Sequence, residues 1–306
     1  MRRIAILVFG LALAGLLASP GSRAQKAAAA PGPEQTAPSL EEIRALADRA
    51  IAGQHKDDDA IESYERIEHH VVRSGANDRP SEDRTYRVVP TGTGTLKLII
   101  RDGGKVVPPE EYLRQLEIWA QILDRAQHPD DPRMKADLER YRKHQKDRAE
   151  FVDAARQAYH ATWLGREIWN GRVFAKLQLE PRTDYHPTSR VGDILLHARA
   201  MIWIDEGSGQ LARGDAEIIR DISFGGGILG KVYRGGRFQL EQAEISPGVW
   251  LPTRLQYDFM GRKFLFGFEV HEYTEISHYR RLGSPSEALA IVRREIQNKE
   301  PLPGDP

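Results

Sequence analysis

The residues with the most evident chemical potential lie at Ser223-Phe224-Gly225-Gly226-Gly227-Ile228-Leu229-Gly230-Lys231-Val232. Gly225, Gly227 and Gly230 fit G-x-G-x-x-G, and Gly225 through Lys231 fit the first seven positions of a P-loop. Loops of this kind cradle phosphate groups because their backbone amides face the ligand at the start of a helix. A P-loop also needs Ser or Thr in the next position to hold Mg²⁺, and that position is Val232. The chain then runs Lys231-Val232-Tyr233-Arg234-Gly235-Gly236 into a further strand pattern, so no helix opens on the glycines. The expectation is a glycine-rich strand connection or bulge rather than a nucleotide site.

The histidines invite a metal reading. His69 and His70 are adjacent, and neighbours on a strand face opposite sides, so they cannot share an ion. His271-Glu272-Tyr273-Thr274-Glu275 resembles H-E-x-x-H without its second histidine and sits in a strand pattern. His271 and Glu275 share a face there, but positions i and i+4 of a strand lie about 13 Å apart. The chain has no cysteine, hence neither disulfides nor thiol chemistry, and no G-x-S-x-G. No carboxylate pair stands out for acid–base work. The expectation is a protein that is not an enzyme, with no catalytic residue, metal site or cofactor.

The elements that would position any site alternate between helix and strand. Ser39, with Glu42 three positions on, reads as a capping box. Leu40, Ile43, Leu46, Ala47 and Ala50 then form a helical stripe that Gly53 is expected to end. Strands are predicted over 64–73, 85–89 and 95–101, with Asp102-Gly103-Gly104 as a tight turn. Pro108-Pro109-Glu110-Glu111 opens a helix, and Leu113, Leu116, Ala120 and Leu123 mark its buried side. His128 to Pro132 breaks that helix, and a second runs over about 134–159. Its stretch from Glu139 to Glu150 is charged nearly all round, with acids and bases interleaved, as on a solvated surface helix.

From Thr162 onward the chain is β-rich. Asn170-Gly171 between alternating stretches is the strongest hairpin signal, because both residues accept the positive φ of a type I′ turn. Strands are predicted over 172–180, 198–205, 211–224, 231–245, 249–259 and 263–275, and a helix over 282–299. Val249, Leu251, Thr253, Leu255, Tyr257 and Phe259 alternate with Trp250, Pro252, Arg254, Gln256 and Asp258, a period-two pattern. Short connections make the strands antiparallel.

Arg2 and Arg3, the 15-residue apolar run Ile4 to Ala18, and the small residues up to Ala24 have the form of a secretory signal. The run is short of the roughly 20 residues that span a bilayer. Cleavage near Ala24 would remove three arginines and no acid, leaving a net charge of −3, too balanced for a general nucleic-acid binder. The expected organisation is a signal peptide at 1–24, a disordered Ala/Pro-rich leader at 25–38, one domain at 39–300 and a tail at 301–306. The lipobox cysteine of acylated lipoproteins is missing, so a periplasmic product is expected.

Several stretches carry a family pattern. They are Gly165-Arg166-Glu167-Ile168-Trp169-Asn170-Gly171-Arg172-Val173-Phe174, Leu177-Gln178-Leu179-Glu180-Pro181, Ile202-Trp203-Ile204-Asp205 with Gly209-Gln210-Leu211, and Gly248-Val249-Trp250-Leu251-Pro252. In these the chain resembles the LolA-like, outer-membrane lipoprotein-sorting group of bacterial envelope proteins, over roughly residues 160–280. The resemblance implies an α+β fold: an antiparallel half-barrel closed by helices around an apolar cavity able to take acyl chains. The 108–160 helical segment is longer than a minimal carrier needs, and no docking motif for a carrier's membrane partners is visible.

Read together, these features predict a periplasmic, non-catalytic binding protein for a lipid acyl chain or a lipoprotein. The candidate lining is Leu177, Leu179, Ile202, Ile218, Leu255, Tyr257, Phe264, Phe266 and Phe268, with the helices as a lid. Two other readings remain open. One is an interaction or stress-sensor module that uses the same fold to bind an envelope membrane protein. The other is an outer-membrane β-barrel, which alternating strands also suit, but against which the charged helical segment counts.

Overall fold

The computed structural model describes residues 37–75, 80–225 and 229–299. The signal peptide, almost all of the leader, the tail and the centre of the Gly225–Gly230 loop lie outside the described residues. The elements in order are α1 (Leu40–Ala60), a 3₁₀ turn (Ile61–Ser63), β1 (Tyr64–Arg73), β2 (Glu82–Pro90), β3 (Thr95–Asp102), β4 (Lys105–Val106), α2 (Pro109–Ala126) and α3 (Pro132–Ala158). Then follow β5 (Tyr159–Trp169), β6 (Arg172–Pro181), α4 (Arg190–Leu195), β7 (Ala198–Asp205), β8 (Leu211–Ile218), β9 (Ile222–Phe224), β10 (Gly230–Val232), β11 (Arg237–Ser246), β12 (Val249–Lys263), β13 (Phe266–Arg281) and α5 (Pro285–Asn298).

The fold is α+β and its strand ladders are antiparallel. One sheet runs β4-β3-β2-β1-β13-β12-β10-β9, with β11 also paired to β12; a second runs β5-β6-β7-β8. The two meet where the Ile218 amide donates to Gly236 O (2.7 Å) and the Gly235 amide to Ile218 O (2.7 Å). No pairing joins β4 to β5 among the described residues, so the sheet remains an open half-barrel. The Asn170-Gly171 turn has the two positive φ values expected of it, 52° and 73°. At Gly261 of β12, opposite Val232, a Cβ would run into the carbonyl oxygen of Lys231, so β10 lies closer there than any side chain allows.

Helices cover both faces of the strands around β1. On β1, Glu65 and Ile67 face one side, toward α2 and α5; Arg66 and Glu68 face the other, toward α1 and α3. On the first side Val89, Leu98 and Ile100 pack against Tyr112, Leu116, Trp119 and Leu123 of α2 and Leu289 and Val292 of α5. The α2 residues recur at helical spacing, so one stripe meets the sheet. Within this layer the buried Arg87 donates to Glu65 (2.8 and 2.6 Å), Glu295 (2.6 and 3.0 Å) and the Tyr112 hydroxyl (2.9 Å). Burial opposes its charge, but the Glu295 and Glu65 carboxylates outweigh that and hold its pKa above the usual arginine range.

On the second side α1 buries Ile43, Leu46 and Ala50 against Ala175, Leu177 and Ile204 of β6 and β7. Its capping box forms as the sequence predicts, with Ser39 and Glu42 exchanging hydrogen bonds. Gly53, expected to end the helix, lies inside it instead: a side chain there would meet the amide of Gln210, so the glycine serves a close approach to the sheet. Along its 27 residues α3 buries only Met134, Phe151 and Ala158.

Candidate functional site

The second side is not filled. Between α1, α3 and the sheet lies a cavity of about 650 Å³. Its helical walls are Ile43, Ala47, Ala50 and Ile51 of α1 and Phe151, Val152 and Ala155 of α3. Its sheet wall is Ala161, Leu179, Ile202, Leu211, Leu240, Leu251, Leu255 and Ile276. These strand residues point inward because side chains of one face recur at every second position. The space opens to solvent, so it holds water or a ligand rather than a vacuum.

Polar groups gather where the last turns of α1 meet α3. Asp57, Asp58 and Glu62 line the cavity there together with Arg66, Glu68 and Arg148. The Trp250 amide donates to Asp57 Oδ1 (3.1 Å), and Lys56 Nζ donates to Gly248 O (3.0 Å), so this end of α1 is tied to the start of β12. Asp57 is 2% exposed, and its Oδ2 has no hydrogen-bond partner among the described residues. Burial pushes its carboxyl up to about 6, against the pull of the Trp250 amide. Burial also raises Asp58 and Glu62, and in both the charge of Arg148 opposes the shift. Glu68 goes the other way: burial disfavours its charge, but Arg66 and Lys97 overcome this and hold it below the usual carboxylate range.

This arrangement can solvate an aliphatic chain and offer hydrogen-bonding groups to its polar end. Among the described residues no group of three His, Cys, Asp or Glu side chains is placed to hold a metal ion. His69 bonds Asp83 (2.8 Å), while His70 contacts Glu82 (3.5 Å) and Glu272, on opposite faces of β1.

The structure places the nine candidate lining residues in three groups. Leu179, Ile202 and Leu255 line the cavity, and Leu177 lies beside it in the contact between α1 and the sheet. Ile218, Tyr257 and Phe268 belong to a separate cluster with Ile222, Val232, Phe238 and Phe259. Phe264 and Phe266 lie at the β12–β13 tip, 50% and 77% exposed. The sequence pattern puts the break between strands at 260–262 and both residues in the strand after it, whereas β12 runs on to Lys263, so Phe264 falls in the turn and Phe266 opens β13. Sequence reasoning missed the α3 wall. Its signal was a change of composition, from the charged stretch to Phe151, Val152, Ala154 and Ala155.

No protein-family model matches the sequence, and no curated protein matches it. Solved structures do. The chain is similar in fold to a LolA superfamily protein from Nitrosomonas europaea, at 12% identity, covering 80% of this chain and 96% of that one, with a TM-score of 0.31. It is similar to a putative outer membrane lipoprotein-sorting protein domain from Vibrio parahaemolyticus, at 10% identity, 81% and 100% coverage and a TM-score of 0.32. A DUF1329 family protein from Desulfovibrio piger aligns at 13% identity, 78% and 92% coverage and a TM-score of 0.27. These likenesses concern the fold, and at such scores the cavity bears the weight for function.

Proposed function

We propose that this chain is a non-catalytic periplasmic binding protein that holds the acyl chain of a lipid or of a lipid-modified protein between α1, α3 and the sheet. The observation that supports the reading is the apolar cavity of about 650 Å³, which lies within the roughly 300–1,000 Å³ of small-molecule sites. Each methylene buried there gains about 0.8 kcal/mol. The polar end of the ligand sits beside Asp57, Asp58, Glu62 and Arg148, and α1 and α3 form the cover. Periplasmic location is part of the proposal and rests on the signal-like residues 1–24. Among the described residues no helix is long and apolar enough to cross a membrane.

The test is titration of delipidated protein with an environment-sensitive fluorescent fatty acid, alongside native mass spectrometry of the protein as purified without detergent. Saturable binding, weakened at least tenfold by Ala47→Trp or Ala155→Trp, is the expected result. A clean apo mass with no probe binding, in a protein that melts cooperatively, overturns the proposal and favours the protein-interaction module.

A further inference from the structure

The tip of the β12–β13 hairpin joins two unfavourable features, a bulky apolar residue at positive φ and a run of exposed apolar side chains. Lys263 and Phe266 are its last paired residues, and Phe264 and Leu265 make the turn. Two-residue hairpin turns favour Asn and Gly because positive φ is needed, as at Asn170-Gly171 of this same chain. Here Phe264 takes φ 52°, a conformation costly for a bulky side chain. The apolar side chains are also turned out: Leu265 is 90% exposed and Phe266 77%. Leu229 and Met260 lie alongside, about half exposed; the Phe264 amide donates to Leu229 O (3.3 Å) and the Tyr233 amide to Met260 O (2.9 Å). Local rules broken together at an exposed tip point to a functional site.

Charge supplies the second observation. Residues 229–236 and 259–268, which build this end, contain Lys231, Arg234, Arg262 and Lys263 and no Asp or Glu. The chain as a whole balances 44 basic against 44 acidic residues, so the bias is local. Two acids border these segments: Asp221 accepts from Lys231 (2.7 Å) and from the Arg234 amide (2.8 Å), and Glu269, paired with Met260, contacts His271 (3.1 Å).

We infer that this tip is a membrane-docking finger: Phe264, Leu265 and Phe266 enter the interfacial layer of a bilayer, and the basic residues behind them meet anionic headgroups. Aromatic and aliphatic side chains over a basic collar are the chemistry of interfacial anchoring. A protein partner fits less well. The apolar part is a convex turn, whereas a stable protein interface needs about 800 Å² of matched surface on each partner. A bilayer deforms around a protruding turn. The finger is separate from the cavity, so it does not depend on what the cavity holds.

The experiment is vesicle binding by the full chain, read at the tip itself. Phe266→Trp is mixed with phosphatidylglycerol-containing vesicles that carry brominated acyl chains, with the parent chain as baseline for its five native tryptophans. The expected result is bromine quenching of the added tryptophan, lost on pure phosphatidylcholine and reduced in high salt. In sedimentation, Leu265→Asp with Phe266→Asp should weaken binding at least tenfold, and Arg234→Glu with Lys263→Glu should weaken it only on anionic vesicles. Phe264→Asn keeps or raises the melting temperature while weakening vesicle binding, which separates docking from folding. Absence of quenching on anionic vesicles, or equal sedimentation of parent and double-Asp chains, overturns the inference. So does a tip that captures a protein yet leaves vesicles alone.

Discussion

The two faces of the strands around β1 are covered in the same way, by two helices, and come out opposite. Against α2 and α5 the gap is filled by large side chains; Trp119 is fully buried and its indole N–H donates to Pro90 O (2.9 Å). The one arginine enclosed there is met by two carboxylates and a hydroxyl. Against α1 and α3 the gap stays open, and a buried carboxylate oxygen of Asp57 has no partner among the described residues. Dense packing and full pairing stabilise, whereas an open wall with an unpaired charge costs stability. The contrast separates a supporting side of the sheet from a receiving side.

The largest expected effect lies on the supporting side. Arg87→Ala leaves Glu65 and Glu295 enclosed with only the half-exposed Arg280 beside them and should cost about 3–5 kcal/mol in denaturant unfolding. A loss under about 1 kcal/mol would mean that this side is wetter than its packing implies.

Asp57 comes next and has the opposite sign. Its carboxyl is raised from 3.8 to about 6 on folding, so the native state holds the proton more tightly. Stability from this group is greatest below pH 3.8 and falls as the pH rises through about 6, by about 2–3 kcal/mol at 1.36 kcal/mol per pH unit. Asp57→Asn keeps an oxygen for the Trp250 amide and should stabilise the protein at pH 7. It should also flatten unfolding curves between pH 4 and 6, and an unchanged pH profile would contradict a carboxyl that burial keeps protonated.

A smaller effect is expected at Ile51, which faces the cavity. Ile51→Ala widens a space that already exists, so it should cost less than about 1 kcal/mol, below the roughly 2–5 of an ordinary core truncation. Probe affinity should nevertheless fall. A full core cost would show that the cavity closes in solution. Smallest of all is Lys146→Ala on the charged face of α3, expected within about 0.5 kcal/mol in thermal melts.

Much of the sheet was legible because its cues are local. Alternation marks β12 from Val249 to Phe259, and Asn170-Gly171 carries its own turn geometry. The break expected at 260–262, where Gly261 stands, lies inside β12, so the alternation counted on from it put Phe264 and Phe266 in a strand when they form the tip. The true turn has no Gly or Asn to announce it. The predicted strand 211–224 divides into β8 and β9 where the Ile219 and Arg220 amides turn to His197 O, and 231–245 divides into β10 and β11 where Gly235 and Gly236 bend the chain back to Ile218. Gly53 misled because a helix-stopping glycine and a close-packed one look alike until the neighbour, Gln210, is known. Of the eight sheet-wall residues, alternation pointed to three, Leu179, Ile202 and Leu255. The helical wall comes from α1 and α3, whose apolar residues look like those of any core-facing helix. That Asp57 Oδ2 has no partner among the described residues is a fact of tertiary distance alone.

Gly261 bears on how this end of the protein can vary through descent. Any side chain at that position would force β10 away from β12, and Leu229 and Tyr233 would move with it. A lineage that replaced this glycine would therefore have to rebuild the neighbouring strand at the same time. Residues 229–233 and 259–268 are thus bound to change as a block or not at all, and one missing methyl group keeps the ledger of that inheritance.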